Sequence, residues 1–337
     1  MMPRKASAAP SSKQNSDGRV IESFMRETNG GGSLEQVAGF TLSRAITEGF
    51  GSARLPIPPT LVQSGPTSAA GSILPPQIAG PEFGVNLENV IGVDDRVMVP
   101  DTAMVPWRCI CQLEVVFHDG TTGYGTGWLA GPSTVITAGH CLIDPRSGKA
   151  AAQIRVTPGR NSQVAPYGFF VSTDYAVMLG WPSEEHSELD VGAITIESEL
   201  PVYGDGIGTR LGYFGIAEFT DEKLNMLMVN TAGYPVEARK PFGTLWFNGG
   251  RVHHADADFL QYMIDTQAGQ SGSPVFFFEQ ERDLRLVVAI HTTGYYPNRG
   301  LRVNPRIYDA ISAWVAKPPR GIQKATARRS AAGVRRR

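Results

Sequence analysis

From Val90 onward, short β-branched and aromatic runs alternate with clusters of Gly, Pro, Asn and Asp at intervals of about ten residues, a texture that predicts antiparallel barrels or sandwiches. The runs read as strands in RCICQLEVVF, GYGTGWLA, STVITAG, DVGAITI, MLMVNTAGYP, TLWFNGGRV, FLQYMID, SPVFFF and LRLVVAIHTTG. Helical periodicity stands out once, late in the chain. In NPRIYDAISAWVA, Asn304 can cap, Pro305 fits the first helical position, and Ile307, Ile311, Trp314 and Val315 fall on one face. Before Val90 the pattern dissolves. Residues 1 to 88 are rich in Gly, Pro, Ser and Ala, with one short helix expected near SLEQVAGFTLSRAITEGF, and read as a poorly ordered leader or pro-region.

With 42% hydrophobic and 19% charged residues, the 337-residue chain has the balance of an ordinary soluble globular protein and room for a sizeable core. No stretch approaches the roughly 20 apolar residues of a membrane-spanning helix. The start MMPRKASAAPSSKQNSDGR has cationic residues but no apolar block behind them, so no secretory signal is expected. The net charge of −1 conceals an asymmetry: Lys317 to Arg337 holds eight Lys or Arg and no acid, which leaves the rest of the chain at −9. That tail, residues 317–337, is expected to be solvated and disordered, with nucleic acid or an anionic surface as the partner its charge would suit. Three cysteines, Cys109, Cys111 and Cys141, cannot build a disulfide framework. Cys109 and Cys111 alternate with Ile110 and are expected as buried thiols on one face of a strand rather than as metal ligands.

Three stretches carry chemistry. STVITAGHCL ends a β-branched strand in His140, SELDVGAITI opens another with Asp190, and DTQAGQSGSP frames Ser271 with Gly269 and Gly272. An alcohol is a poor nucleophile near neutral pH; it needs a base within hydrogen-bond reach, and that base needs an acid to fix its tautomer and steady the imidazolium. His140, Asp190 and Ser271 supply the three roles, 50 and 81 positions apart, in the His, Asp, Ser order of chymotrypsin and not that of subtilisins or α/β-hydrolases. Gly269 would free the backbone to aim its own N–H and that of Ser271 at a developing oxyanion. Ser273 is a rival nucleophile, and Asp174 and Asp265 are rival acids that do not open a strand in the same context. His118, His186, His253 and His254 lie in polar, loop-like text without the spacing of a metal site.

TAGHC, DVGAI and GQSGSP resemble the three catalytic blocks of chymotrypsin-fold serine proteases. The wider text, VIGVDDR at 90–96, GTGWLAGPSTVITAGHC at 125–141, VTPGRN at 156–161, DTQAGQSGSPVF at 265–276 and AIHTTGYYPNRGLRV at 289–303, resembles the bacterial glutamyl endopeptidase branch. The likeness covers residues 89–316 and leaves out leader and tail.

The resemblance implies an all-β fold of two antiparallel barrels of chymotrypsin type, divided near residues 200–210, with a carboxy-terminal helix. It implies a monomeric, secreted or extracytoplasmic serine endopeptidase that acts on proteins or peptides through an acyl-enzyme, with no cofactor or metal. Ser271 takes the nucleophile's role by resemblance to the Gly-x-Ser-Gly pattern, leaving Ser273 to pack inside the turn. His291 and Thr266 would face the side chain before the scissile bond and favour glutamate, since an imidazole and a hydroxyl can both donate to a carboxylate. Glu88 then stands directly before the segment resembling a mature amino terminus, which suggests cleavage between Glu88 and Asn89. In relatives the cysteine after the catalytic histidine often pairs with one in the preceding strand; here Gly125 occupies that region, leaving Cys141 without the partner.

Overall fold

The structure, a computed structural model, describes residues 90–182, 184–197, 206–279, 284–294 and 296–316, with three short pieces of the leader. Those pieces are the two-residue strands β1 (Val20–Ile21), β2 (Val37–Ala38) and β3 (Thr41–Leu42); β2 pairs with β3. Where the short leader helix is expected, the described residues Val37–Ala38 and Thr41–Leu42 are extended. The rest of the leader, including Glu88 and Asn89, and the whole basic tail lie outside the described residues.

The first barrel is built from β5 (Ile110–Phe117), β6 (Thr122–Leu129), β7 (Thr134–Thr137), β8 (Ala151–Pro158), β9 (Phe170–Ser172), β10 (Tyr175–Val177) and β11 (Gly192–Thr195). Its antiparallel order is β10-β11-β7-β6-β5-β8-β9. The ends nearly meet, because the Ser172 hydroxyl donates to the Thr195 carbonyl at 2.6 Å. Period-two alternation sends Leu113, Trp128, Ile136, Ile154, Val156 and Ile194 inward with no residual exposure. Each contributes on the order of 1.5–3 kcal/mol by leaving water. β8 escaped the sequence reading because AAQIRVTP mixes Ala, Gln and Arg, poor strand formers, with its apolar positions. Flanked by β5 and β9, it is held by its neighbours rather than by propensity.

The chain crosses to the second sheet between Thr195 and Gly215. That sheet holds β13 (Met228–Gly233), β14 (Trp246–Ala255), β15 (Phe259–Tyr262), β16 (Pro274–Glu279), β17 (Leu284–Thr293) and β18 (Asn298–Arg302), and the β17–β18 pairing closes these six into a barrel. β4 (Val97–Met98) joins at β14, and β12 (Gly215–Ala217) lies parallel to β17. Helices α1 (Ile207–Leu211) and α2 (Asp221–Asn225) lie on the connections. β14 runs past the expected Val252, so His253 and His254 are strand residues and not loop residues; a register shift between Val252 and His254 leaves both exposed.

The barrels share a core. Trp128 of β6 meets Phe214 edge-on at 5.9 Å, and Phe214 meets Phe276 of β16 at 5.1 Å. The carboxy-terminal helix α3 (Pro305–Ala316) forms where its pattern predicts, with the Asn304 side chain accepting from the Ile307 amide at 3.1 Å. It packs back across the molecule, since Val315 lies against Gly131, which a side chain there would displace.

Candidate active site

β7 delivers His140. Its four residues are buried, Ala138 continues extended, and the chain then tightens into a 3-10 turn over Gly139–Cys141 that turns the imidazole outward, its side chain 15% exposed. β11 pairs antiparallel with β7, Gly192 opposite Thr137, so the residues just before β11 arrive beside those just after β7. That register puts Asp190 against His140. The carboxylate accepts from the His140 amide at 2.8 Å and meets the imidazole Nδ1 at 2.8 Å, fixing backbone and ring together. Gly139 permits the approach, because a Cβ there would stand 3.1 Å from the Val191 nitrogen and 3.2 Å from Asp190 Oδ1. Burial works against charge on the ring, and the Asp190 carboxylate outweighs it, holding the His140 pKa well above that of an ordinary imidazole.

Ser271 sits in the turn that feeds β16, and that turn is bolted to the first barrel. The Ser271 carbonyl accepts from the Thr126 amide at 2.9 Å, and the thiol of Cys141, next to His140, lies 3.7 Å from the same carbonyl. Gly272, at φ +87°, is pressed against Thr126, Thr137 and the Ala138 nitrogen at the end of β7. Ser271 is thereby carried to the strand end from which His140 projects, while Ser271 itself stays partly exposed. Ser273 is fully buried, its hydroxyl without a hydrogen-bond partner and lodged against Gly233, so of the two serines only Ser271 is open to a substrate.

Backbone orientation in this turn is overdetermined. The Ala268 carbonyl accepts from the Val236 amide at 2.6 Å, and in a trans peptide the following Gly269 N–H points the opposite way, off the segment that follows β13. The Gln270 carbonyl likewise accepts from Ser273 N–H at 3.0 Å, which turns Ser271 N–H away from it. Gly269 has φ +91°, and a Cβ there would meet the Tyr234 carbonyl at 2.5 Å, so only glycine fits.

Thr126 carried no role in the sequence reading and is the hub of the assembly. Its hydroxyl donates to the Gly269 carbonyl at 2.8 Å and accepts from the Tyr234 amide at 3.0 Å, while its carbonyl accepts from Thr137 at 2.7 Å. No local motif marks a threonine whose partners lie 11, 108 and 143 residues away.

The two residues expected to face the substrate's side chain are both buried. His291 is the eighth residue of β17 and fully enclosed, with the Tyr262 hydroxyl 2.6 Å from Nδ1. Burial, with the nearby charge of His140, pushes its pKa down to about 3, so the ring is neutral at any working pH. Thr266 is also fully enclosed, and its hydroxyl has no hydrogen-bond partner. Asp174 does stand before a strand, β10, but the carboxylate beside His140 is that of Asp190. Asp265 receives the amides of Ile91 and Asp95 at 2.5 and 3.1 Å. Cys109, Cys111 and Cys141 are all buried and unbridged.

Known proteins share this fold. Residues 125–289 match the trypsin-like peptidase domain family. The chain is 37% identical to a glutamyl endopeptidase of Bacillus licheniformis over 68% of its own length and 70% of the relative's. It is 32% identical to a protein of Bacillus subtilis named an extracellular metalloprotease, over 67% and 69%. A solved structure of a Glu endopeptidase in complex with MPD superposes with a TM-score of 0.59 at 27% identity, covering 68% of this chain and all of the other.

Proposed function

We propose, for a chain that belongs to the chymotrypsin-fold serine peptidases in their glutamyl endopeptidase branch and is a serine endopeptidase, that it cleaves after glutamate with Ser271 as nucleophile. His140 takes the Ser271 proton as the hydroxyl attacks the scissile carbonyl, then returns it to the leaving amine; water repeats the cycle on the acyl-enzyme. Asp190 fixes the ring with Nε2 toward the serine and steadies the imidazolium. The Gly269 and Ser271 amides hold the oxyanion. The observation that carries this reading is the double grip of Asp190 on the amide and ring of His140.

For specificity, a neutral His291 and an unpartnered Thr266 hydroxyl are the donors we assign to the substrate carboxylate. A buried donor left unpaired costs about 1–3 kcal/mol, a penalty that an incoming carboxylate relieves and an apolar side chain does not. A peptide panel with Glu, Asp, Gln, Arg or Phe before the cleavage point tests this, with Glu expected to lead; equal turnover of Phe or Arg peptides would overturn the specificity. Ser271→Ala should abolish hydrolysis, and normal turnover in that variant would overturn the catalytic assignment.

Cleavage after Glu88, giving a protein that starts at Asn89, follows from the same preference and makes residues 1–88 the pro-region of a zymogen. Amino-terminal sequencing of active protein checks it; a start far from Asn89 would defeat it. An extracytoplasmic site of action is supported by the Bacillus subtilis relative, which is named an extracellular metalloprotease. The protease domain is taken as residues 89–316 and monomeric, with residues 317–337 as a basic tail suited to an anionic surface.

A further inference from the structure

The turn that carries Ser271 is tied down by a piece of chain with no place in the chemistry. Asp265, at the start of the turn, is 2% exposed and accepts from the backbone amides of Ile91 and Asp95. Gln270, at its far end and next to Ser271, is 1% exposed, and its Oε1 accepts from Arg96 Nη1 at 2.7 Å. The same Oε1 accepts from the Gln267 amide at 3.0 Å, and the Gln270 amide donates back to the Gln267 carbonyl at 3.0 Å. Gln270 thus closes residues 267–270 into a ring around Gly269, and Arg96 pins the atom on which that ring closes.

Arg96 is itself held rigidly. Its side chain has no solvent exposure; Asp94 receives Nε at 2.9 Å and Nη2 at 2.8 Å, and Glu237 receives Nη2 at 2.7 Å. Glu237 follows Val236, whose amide sets the direction of the Ala268–Gly269 peptide. One guanidinium therefore links both walls of the turn, the Gln270 side chain on one and the 236–237 segment after β13 on the other. A planar fork with five donors can do this; an ammonium cannot satisfy all these partners at their separate positions. A guanidinium sealed in a protein at the cost of its hydration calls for a return.

We propose that Arg96 is a positioning residue for catalysis: through Gln270 and Glu237 it holds the Gly269 and Ser271 amides in the orientation that receives the oxyanion. This rests on the catalytic reading of Ser271 and extends it to a residue 175 positions away in sequence. The contacts of Asp265 come from backbone N–H groups of Ile91 and Asp95, so the brace needs no free terminal amine and forms with chain still attached ahead of it.

The test uses the full chain carrying Arg96→Met, Gln270→Met or both, with active serines counted by a fluorophosphonate so that kcat is per competent site. Either single change should lower kcat roughly 10- to 100-fold with KM on a Glu peptide held within about twofold, because a misaimed donor is felt only in the transition state. Affinity for a peptide boronate, which forms a tetrahedral adduct, should fall by the same factor as kcat/KM while that for the product peptide stays unchanged. The double variant should lose less than the product of the two single losses, since both changes cut the Arg96–Gln270 contact. Arg96→Lys should recover part of the loss. Wild-type kcat per titrated site, a loss confined to KM, or single losses that multiply in the double variant would each overturn the proposal. If Arg96→Met does not fold, Gln270→Met decides by the same criteria. Undiminished hydrolysis by Ser271→Ala would instead sink the catalytic reading, which separates the two failures.

Discussion

Gly125 and Cys141 offer a quantitative test of how the first barrel meets the active site. An ideal Cβ on Gly125 would lie 2.9 Å from Cys141 Sγ and 3.6 Å from its Cβ. In a disulfide the Cβ atoms are separated by about 3.5–4.5 Å and each Cβ stands ~3 Å from the opposite sulfur, so Gly125→Cys has bonding geometry without backbone movement. Closing a loop of this length is worth about 3 kcal/mol by the chain-entropy estimate. At about 2–4 °C per kcal/mol for a domain of this size, the oxidised form should melt about 6–12 °C above its own reduced form. Gly125→Ala places the same Cβ against the same sulfur with no bond to form. The Cys141 thiol is enclosed beside the Ser271 carbonyl and has little room to retreat, so the methyl should cost about 1–3 kcal/mol of overpacking. Thermal unfolding with and without reductant reads both effects, and thiol titration in denaturant should fall from three in the wild type to two in the oxidised cysteine variant. Four titratable thiols after mild oxidation, or an oxidised form no more stable than the reduced one, would refute the stated packing of β6 against the His140 turn.

Other consequences follow from the same geometry. His140 must be neutral to accept a proton, so activity is present above its pKa and lost as pH falls through it; the raised value puts that acid limb above the ordinary 6.5, and Asp190→Asn should move it to lower pH while kcat/KM falls about 10⁴-fold. An unchanged acid limb in that variant would contradict the electrostatic role of Asp190. Thr126→Val keeps the volume but strands the Gly269 carbonyl and the Tyr234 amide, at about 1–3 kcal/mol each, so the urea midpoint and kcat should drop together; a midpoint matching wild type would remove Thr126 as the hub. Burial pushes the Cys109 thiol up to about 11 and Cys111 well above its usual value, so iodoacetamide at pH 8 should leave both unmodified in the native protein and alkylate them in denaturant; rapid native labelling would contradict their enclosure.

The strands that sequence revealed were those whose apolar residues are β-branched or aromatic, such as β7, β16 and β17. β8, β9, β10, β12 and β18 were not foreseen, because three-residue strands carry almost no pattern and NRGLR or AAQIRVTP draws its extended form from paired neighbours. The candidate residues His140, Asp190 and Ser271 stand out in the sequence because each lies near where a strand begins or ends, and loops at strand ends are where a rigid scaffold presents its chemistry. Thr126, Gln270 and Arg96 were not. A threonine inside a strand, a glutamine in a turn and an arginine after two acids look like solvated text until folding brings partners more than a hundred residues distant into hydrogen-bond range.

The pair of histidines shows why burial had to be known before the electrostatics could be argued. Both follow apolar β-branched runs in the sequence, which gives no reason for them to differ in charge. His140 keeps a carboxylate against Nδ1, and the attraction outweighs its loss of water; His291 has a phenol in the equivalent place, and its backbone contact with Arg299 falls short of offsetting burial. Positive charge in the site is thereby reserved for the ring that moves the proton. In the proposed pocket this has a consequence for glutamate: its carboxylate meets neutral donors rather than a competing cation, so its field remains available to the imidazolium that forms on His140 as Ser271 attacks. The interaction strengthens as that charge develops, and only binding that grows toward the transition state accelerates the chemical step. A cationic pocket would hold the substrate more tightly at rest and quench that field before the reaction could use it.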